Sequence, residues 1–406
     1  MERARSGGEP GVTTGATNNN TLIQQRLTPT PNYQPNLPWG DCINGPKDNN
    51  CIRIFYQNIN GIYYNNRTTK AQEVASVLHH KEVDIMGFAE TNTDWNQKNI
   101  KEAVRRAFTD RFKHTYIATS TSTMSLYNLQ QQLRSYKPGG TATIVTGNTT
   151  SRVETPTIND PLGNFSAVIL CGQQNTALTI ITAYRVTQTA GTTNAGDTTA
   201  YQQQHSILRQ QNIQNPDPRN QVIRDLKSFI ETQTSKGHKI LLMLDANEST
   251  DGRNSNIDKL RGELNLIDLH SYLHGHGQQP ETYIRSKSGR RINYMFGTTA
   301  VAKATMKAGI EAYHEGYESD HRGLFVDIDI SELLSGTIAE LDSPQNRGIS
   351  SQCPKKIQMY KKLVIQYYDE HRLDRRIEIM EALAPKIGQM SDGARRQLQE
   401  EANKLD

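Results

Sequence analysis

The chain has 406 residues, only 35% of them apolar, and a formal net charge of +4. That is enough for one large domain or two smaller ones, with a core in the middle, solvated segments around it, and too little net charge to name a partner. No run approaches the roughly 20 apolar residues of a membrane span. The start, "MERARSGGEPGVTTGATNNN", lacks the apolar core of a signal peptide. Cys42, Cys51, Cys171 and Cys353 show neither metal-ligand spacing nor a disulfide framework. The expectation is an intracellular protein, nuclear or cytoplasmic, with no membrane contact and no disulfides.

Residues 1–50 are rich in Gly, Thr, Asn and Pro and hold few apolar anchors. They read as a disordered arm, because burial there cannot offset the entropy of ordering. Order is expected to start at "CIRIFYQNI", an apolar run of strand length. A helix follows in "TTKAQEVASVLHH", where Ala71, Val74, Ala75 and Leu78 fall on one face. "VDIMGFAE" then reads as a buried strand, so the domain opens strand, helix, strand. "GGTATIVTG", "NFSAVILCG" and "ALTIITAYRV" are strands joined by short links, which suggests antiparallel hairpins and meanders. The polar stretch from Thr187 to Gln214 reads as a surface excursion.

A well-marked helix comes next. Asp217 is placed to cap it, Pro218 suits its first position, and Gly237 its end. Its buried stripe is Val222, Ile223, Leu226, Phe229 and Ile230. "HKILLMLDAN", "RINYMFGT" and "RGLFVDID" supply three more strands. These elements predict an α/β protein in four layers, two packed mixed sheets flanked by helices, over residues 51–332. Residues 333–354 read as a linker and 355–406 as a helical C-terminal extension. In that extension Ile357, Tyr360, Val364 and Tyr368 share a face, and a break is expected near Pro385.

Polar residues recur where the apolar strands stop. Asn58 and Asn60 follow the first, Glu90 the second, and Tyr184 closes a third. Asp245 and Asn247 end "ILLMLDAN", Asn293 lies in "RINYMFG", and Asp320 and His321 open the last strand. A lone Asp-Ala-Asn or Ser-Asp-His beside a strand is ordinarily a turn. Strands of opposite direction, however, can bring starts and ends to one rim. Carboxylates, amides and one imidazole there would suit phosphodiester hydrolysis. A Mg²⁺ held by a carboxylate such as Glu90 neutralises the phosphate. Asp245 and Asn247, two apart on a strand and hence on one face, would aim a water. His321, its pKa raised by Asp320, would donate to a phosphate oxygen as imidazolium, and Tyr184 would add a hydrogen bond.

"QNINGI", "AETN", "TAYRV", "LDANES", "RINYMFG" and "ESDHRGLFVDI" together resemble the successive motifs of the endonuclease/exonuclease/phosphatase superfamily. The resemblance runs from about residue 51 to 330. The Asn-x-Asn-Gly form at Asn58–Gly61 is most similar to the retrotransposon (LINE-type) endonucleases. It implies the same four-layered sandwich and a hydrolase acting on nucleic acid, with DNA the expected substrate and Mg²⁺, or Mn²⁺ in its place, the expected ion. Glu90 inherits the metal, with Asn58 and Asn60 beside it. Asp245 and Asn247 inherit the water, and Tyr184, Asn293, Asp320 and His321 the remaining catalytic positions. Arg185, Arg322, Lys355 and Lys356 are candidate contacts to the nucleic acid. No polymerase motif appears, so a reverse transcriptase partner would lie in another chain or in a region outside this one.

Three departures bear on activity. Ala89 stands where the family usually has Gln, and "YRVT" replaces the usual step after the Tyr. Asn293 stands where the family has Asp beside the catalytic His. An amide can hydrogen-bond the ring without offering a full charge; in serine proteases the analogous loss is about 10⁴-fold. That predicts a weakened enzyme unless Asp320 compensates. Two other readings remain open: a phosphatase on an inositol phosphate or similar small ligand, and a non-catalytic nucleic-acid-binding module.

Overall fold

In a computed structural model the described residues are 37–63, 67–124, 135–187, 199–250, 255–275, 279–285, 288–313, 315, 319–335, 354–383, 386 and 390–403. They fall into two compact units, Met1–Leu341 and Asp342–Asp406. The first opens with β1 (Trp39–Gly40) and β2 (Cys51–Asn58), then α1 (Thr69–His80), β3 (Ile85–Ala89) and α2 (Lys98–Phe112). β4 (Thr115–Ser120), β5 (Thr141–Thr146), β6 (Val153–Glu154), β7 (Phe165–Cys171) and β8 (Ala177–Tyr184) follow. Next come α3 (Ala200–Gln210), α4 (Pro218–Ser235), β9 (Lys239–Asp245), α5 (Asn256–Glu263), β10 (Ile267–Asp268) and α6 (Leu269–His274). The unit ends with β11 (Tyr283–Arg285), β12 (Ser288–Arg290), β13 (Asn293–Gly297), α7 (Thr299–Ala304), β14 (Thr305–Ile310), β15 (Leu324–Asp329) and α8 (Ile330–Leu334).

The strands form two mixed sheets, in the orders β1-β14-β15-β2-β3-β5-β4 and β10-β13-β9-β8-β7-β6. Each has one parallel pair at its centre, β2 with β3 and β8 with β9, linked by helical crossovers. The central strands are buried on both faces, so they read as unbroken apolar runs. In β2, Ile52, Ile54 and Tyr56 face the other sheet and meet Ile180, Leu241 and Met243. Phe55 points the other way, against Val74, Leu78 and Phe108 of α1 and α2. The second sheet turns Ile181, Leu242 and Leu244 outward onto Val222, Leu226 and Ile230 of α4. Helix, sheet, sheet, helix is the expected four-layered sandwich.

Local signals place the helices. The four predicted residues of α1 are all buried. The Asp217 side chain accepts the Asn220 N–H, Pro218 opens α4, and Gly237 beyond its end has φ +85°.

Several expectations need correction. Of the arm, residues 1–36 lie outside the described residues, but 37–50 are built into the fold. β1 pairs with β14 and Ile43 is buried. The tether is Arg53, 1% exposed, which pairs with Asp327 through two 2.8 Å bonds and donates to the carbonyls of Ile43 and Gly45. The meander is divided: β7 and β8 form a hairpin in one sheet, whereas β5 pairs with β3 and β4 in the other. The excursion from Thr187 contains α3, which buries Gln203, Gln204, Ile207 and Leu208, and residues 188–198 lie outside the described ones. Its core-facing glutamines hid the helix from a hydrophobicity pattern; Gln204 donates to Leu162 and Asn164.

The second unit holds α9 (Pro354–His371), α10 (Leu373–Leu383) and α11 (Asp392–Asn403). The first break falls at Arg372, with φ +48°; Pro385 lies outside the described residues. Tyr360 and Tyr368, which share a face with Ile357 and Val364, are exposed.

Candidate active site

The carboxyl ends of the two parallel pairs arrive at one rim. In register Asn58 lies beside Ala89, and Tyr184 beside Asp245. That is where open α/β sheets place their ligands. The antiparallel β13 begins there too, with Asn293 directly opposite Asp245. The turn before β15 then delivers Asp320 and His321. The seam between the sheets is thus crossed by short contacts rather than by one motif.

Asn58 is the bridge. Its Nδ2 donates to Glu90 Oε2 at 2.8 Å and to Asp245 Oδ2 at 2.7 Å, while its Oδ1 accepts the Asn60 N–H at 3.1 Å. Tyr184 donates to the Glu90 carboxylate. The backbone is wound tightly around these groups: Asn60, Glu90, Asn92 and Asn247 all have φ between 46° and 51°. Such left-handed residues cost energy and cluster where a site over-determines the chain.

The electrostatics are those of crowded acids. Asp245 is fully buried, and burial pushes its carboxyl up to about 7; Asn58 counters this by donating, while Glu90 and Asp320 add to it. Burial, with the charge of Asp320, also raises Glu90. Tyr184 goes up for the same reasons, burial first, then the Glu90 and Asp245 charges. Three carboxylates, Glu90, Asp245 and Asp320, therefore face one mouth, and the Arg219 guanidinium is coupled to Asp245.

His321 is held rigidly. Its Nδ1 lies 2.9 Å from Asn293 Oδ1, which can only accept, so Nδ1 carries the proton and Nε2 has the free lone pair. Its ring packs on Tyr283 at 4.6 Å between centroids. Gln57 Nε2 donates to its carbonyl at 2.6 Å, and its N–H donates to Ser319 Oγ, which in turn donates to the Asn58 carbonyl at 2.8 Å. Burial depresses the imidazole to about 3, so it is neutral at ordinary pH. This overturns the expectation that Asp320 raises it: burial is the sole perturbation, and Asp320 itself is exposed.

Other placements also differ. Asp245 and Asn247 do not share a strand face, since β9 stops at Asp245. Asn247 turns left-handed, donating its N–H to Asp245 Oδ1 and its Nδ2 to the Arg185 carbonyl. Arg185 is 2% exposed and is held by Glu248 at 2.5 Å. Arg322 is wholly buried and donates to the carbonyls of Glu311 and Leu37. Both guanidiniums are engaged in holding loops, Arg185 through Glu248 and Arg322 through backbone carbonyls. Lys355 is exposed on α9; the side chain of Lys356 lies outside the described ones.

Gln57, Ser319, Tyr283 and Tyr136 are given no role at the site by the sequence reading. The first two sit inside the quoted motifs and could have been found there. Tyr283 opens β11 and Tyr136 forms an isolated bridge with Thr93, both outside every quoted motif; Tyr136 is 46% exposed with its hydroxyl raised by burial and by the Glu90 charge.

Among the described residues no three His, Cys, Asp or Glu side chains stand ready to enclose an ion. A Mg²⁺ does not require it, since it takes one or two carboxylates and keeps its waters. Glu90 and Asp245, both raised by burial and by the Asp320 charge, are a donor set that a dication would relieve. Asn58, by contrast, offers an N–H₂ group there and would have to turn its amide over to act as a ligand.

No family model matches the chain, and no curated protein matches it. Solved structures with a similar fold include an AP endonuclease from Leishmania major (10% identity, TM-score 0.49, covering 69% of this chain and 88% of that one). Another is a Neisseria 3′ phosphatase bound to a product DNA hairpin (14%, 0.46, 68% and 99%). A third is an endonuclease/exonuclease/phosphatase family protein from Leptotrichia buccalis (14%, 0.41, 68% and 99%). At these identities and scores nothing about activity passes from them to this chain.

Proposed function

We propose that this chain is a divalent-metal-dependent phosphodiesterase that cuts nucleic acid, in the manner of the DNA-nicking endonucleases of mobile elements. One observation carries the reading. Six stretches, 58–60, 90, 184, 245–247, 293 and 320–321, converge on one rim, with Asn58 bridging Glu90 and Asp245 and Asn293 holding His321. The mobile-element form rests on the Asn58–Gly61 motif. Mg²⁺ is the preferred ion, held by Glu90 with Asp245 or Asn58, and it would supply Lewis-acid neutralisation of the phosphate.

The protein's own groups do the rest. Where Asn58 rather than Asp245 shares the ion, the Asp245 carboxylate, held by the Asn247 N–H, accepts a proton from the attacking water. The Asn247 amide and the Tyr184 hydroxyl orient water and phosphate. His321 is neutral, with Nδ1 fixed by Asn293. It can therefore accept a hydrogen bond through Nε2, and becomes a donor to the phosphate only on taking up a proton. That favours a second statement: Asn293 makes this a slow enzyme, because protonating His321 is costly in its buried setting.

The test is nicking of a supercoiled plasmid with Mg²⁺ against EDTA. The wild type nicks with Mg²⁺, EDTA ends it, Glu90→Ala lowers the rate by at least about 100-fold, and Asn293→Asp raises it. Retention of full rate by Glu90→Ala would sink the metal assignment.

A further inference from the structure

Beside the catalytic mouth lies a polar cleft of about 710 Å³ that the site residues do not fill. One wall is shared with the active centre. The Arg185 N–H donates to the Asp245 carbonyl at 2.9 Å, and Arg219 Nη2 donates to the Asn247 carbonyl at 3.3 Å. The facing wall is α3, whose Tyr201, His205 and Arg209 recur every fourth residue and line the cleft as one stripe. α3 is held by its buried Gln203, Gln204, Ile207 and Leu208, and Tyr201 is itself half-buried against the core, so this stripe is fixed in place.

The charges do not balance. Arg185, Arg209 and Arg219 face only Asp217 and Glu248 in the lining: Glu248 lies 2.5 Å from Arg185 and 3.7 Å from Arg219, and the Asp217 charge also acts on Arg219. Asp217 is occupied in capping α4, accepting from the N–H and Nδ2 of Asn220. Arg209 is exposed and has no carboxylate partner among the described residues; its charge acts instead on His205, whose pKa is lowered first by burial and then by Arg209. Next to this cation the Tyr201 and His205 rings lie nearly parallel, 6.2 Å apart. Unneutralised guanidinium beside a flat aromatic surface is the chemistry that receives a single nucleic-acid strand: charge for the phosphate, ring face for the base.

We infer that this cleft is a second subsite of the proposed nuclease, binding the phosphate backbone and one base of the strand as it leaves the catalytic mouth across α3. This rests on the nucleic-acid reading above, but it concerns binding rather than hydrolysis. Arg209 supplies the free cation and Tyr201 the stacking face. Arg185 and Arg219 form the floor and are bound to the chain itself.

The test is binding of a fluorescent single-stranded oligonucleotide by anisotropy, in EDTA, across a salt series. Arg209→Glu is expected to weaken binding about 3–10-fold and to lower the salt slope by about one, and Arg209→Lys to keep both. Tyr201→Ala weakens binding at every salt without changing the slope. Circular dichroism melts check that each variant is folded, which the exposure of Arg209 favours. Equal binding by wild type and Arg209→Glu overturns the subsite even if the protein nicks DNA. Loss of binding in Arg209→Glu with no nicking by wild type leaves the subsite standing and removes the catalytic reading. A nucleoside monophosphate that binds as tightly as the oligonucleotide, with the same dependence on Arg209, overturns the strand path.

Discussion

Asp245 shows how a site residue taxes the fold. Its carboxyl is raised from 3.8 to about 7. Between those values the folded state holds a proton that the unfolded chain has released, so stability falls as pH rises through that window. Asp245→Asn removes the penalty and keeps an acceptor for Asn58. In EDTA it is expected to melt higher than wild type at about pH 8, by on the order of 2–4 kcal/mol in stability, with the gap closing towards about pH 4. A gap that does not vary with pH would contradict the buried-acid account. His321 has the opposite sign. Its folded pKa of about 3 lies below the usual 6.5, so its contribution is present above about 6.5 and is lost as pH falls towards 3. Asn293→Asp places a carboxylate on Nδ1 and is expected to move the imidazole upward, read by NMR titration of the ring protons. An unchanged titration would separate any gain in nicking from the ring's charge.

At the scale of elements, apolar burial holds helices to both sheets, and the first sheet adds a buried ion pair. α4 is anchored through apolar burial, and Leu226→Ala should cost about 2–5 kcal/mol in urea unfolding. β15 and β2 are joined by the Arg53–Asp327 pair, 1% and 0% exposed. Removing one partner strands a buried charge, so Asp327→Ala should cost about 3–5 kcal/mol and loosen the 37–50 segment. Limited proteolysis should then cut within that segment before anything else. These elements were legible to very different degrees. α1 and α4 carry caps and a 3.6-residue stripe, so local rules place them. α3 turns glutamines inward, and Gln203 accepts from Ser122 Oγ at 2.7 Å. Such a residue looks solvated until its partner, distant in sequence, is known.

For the whole molecule, the division at Leu341 puts every residue of the catalytic rim in the first unit and leaves Lys355 and Lys356 in the second. A fragment ending at Leu341 is expected to melt within a few degrees of the full chain and to keep its plasmid nicking rate. Loss of nicking with an unchanged melt would assign the helices of the second unit a part in substrate binding. Most of this plan was readable in the chain. Strands buried on both faces must be continuously apolar, and their polar stops mark where a rim can form, so the layers and the roster of Asn58, Glu90, Tyr184, Asp245, Asn293 and His321 came from one dimension. Only the tertiary structure decided what those groups are to one another. The Asn58 bridge, the acidity of Asp245 and the neutrality of His321 are set by burial and by neighbours up to 264 residues away, as for Gln57 on the His321 carbonyl. It also withdrew Arg185 and Arg322 from the surface and left Arg209 there, because whether a guanidinium is spent or free depends on which carbonyls and carboxylates the fold brings to it.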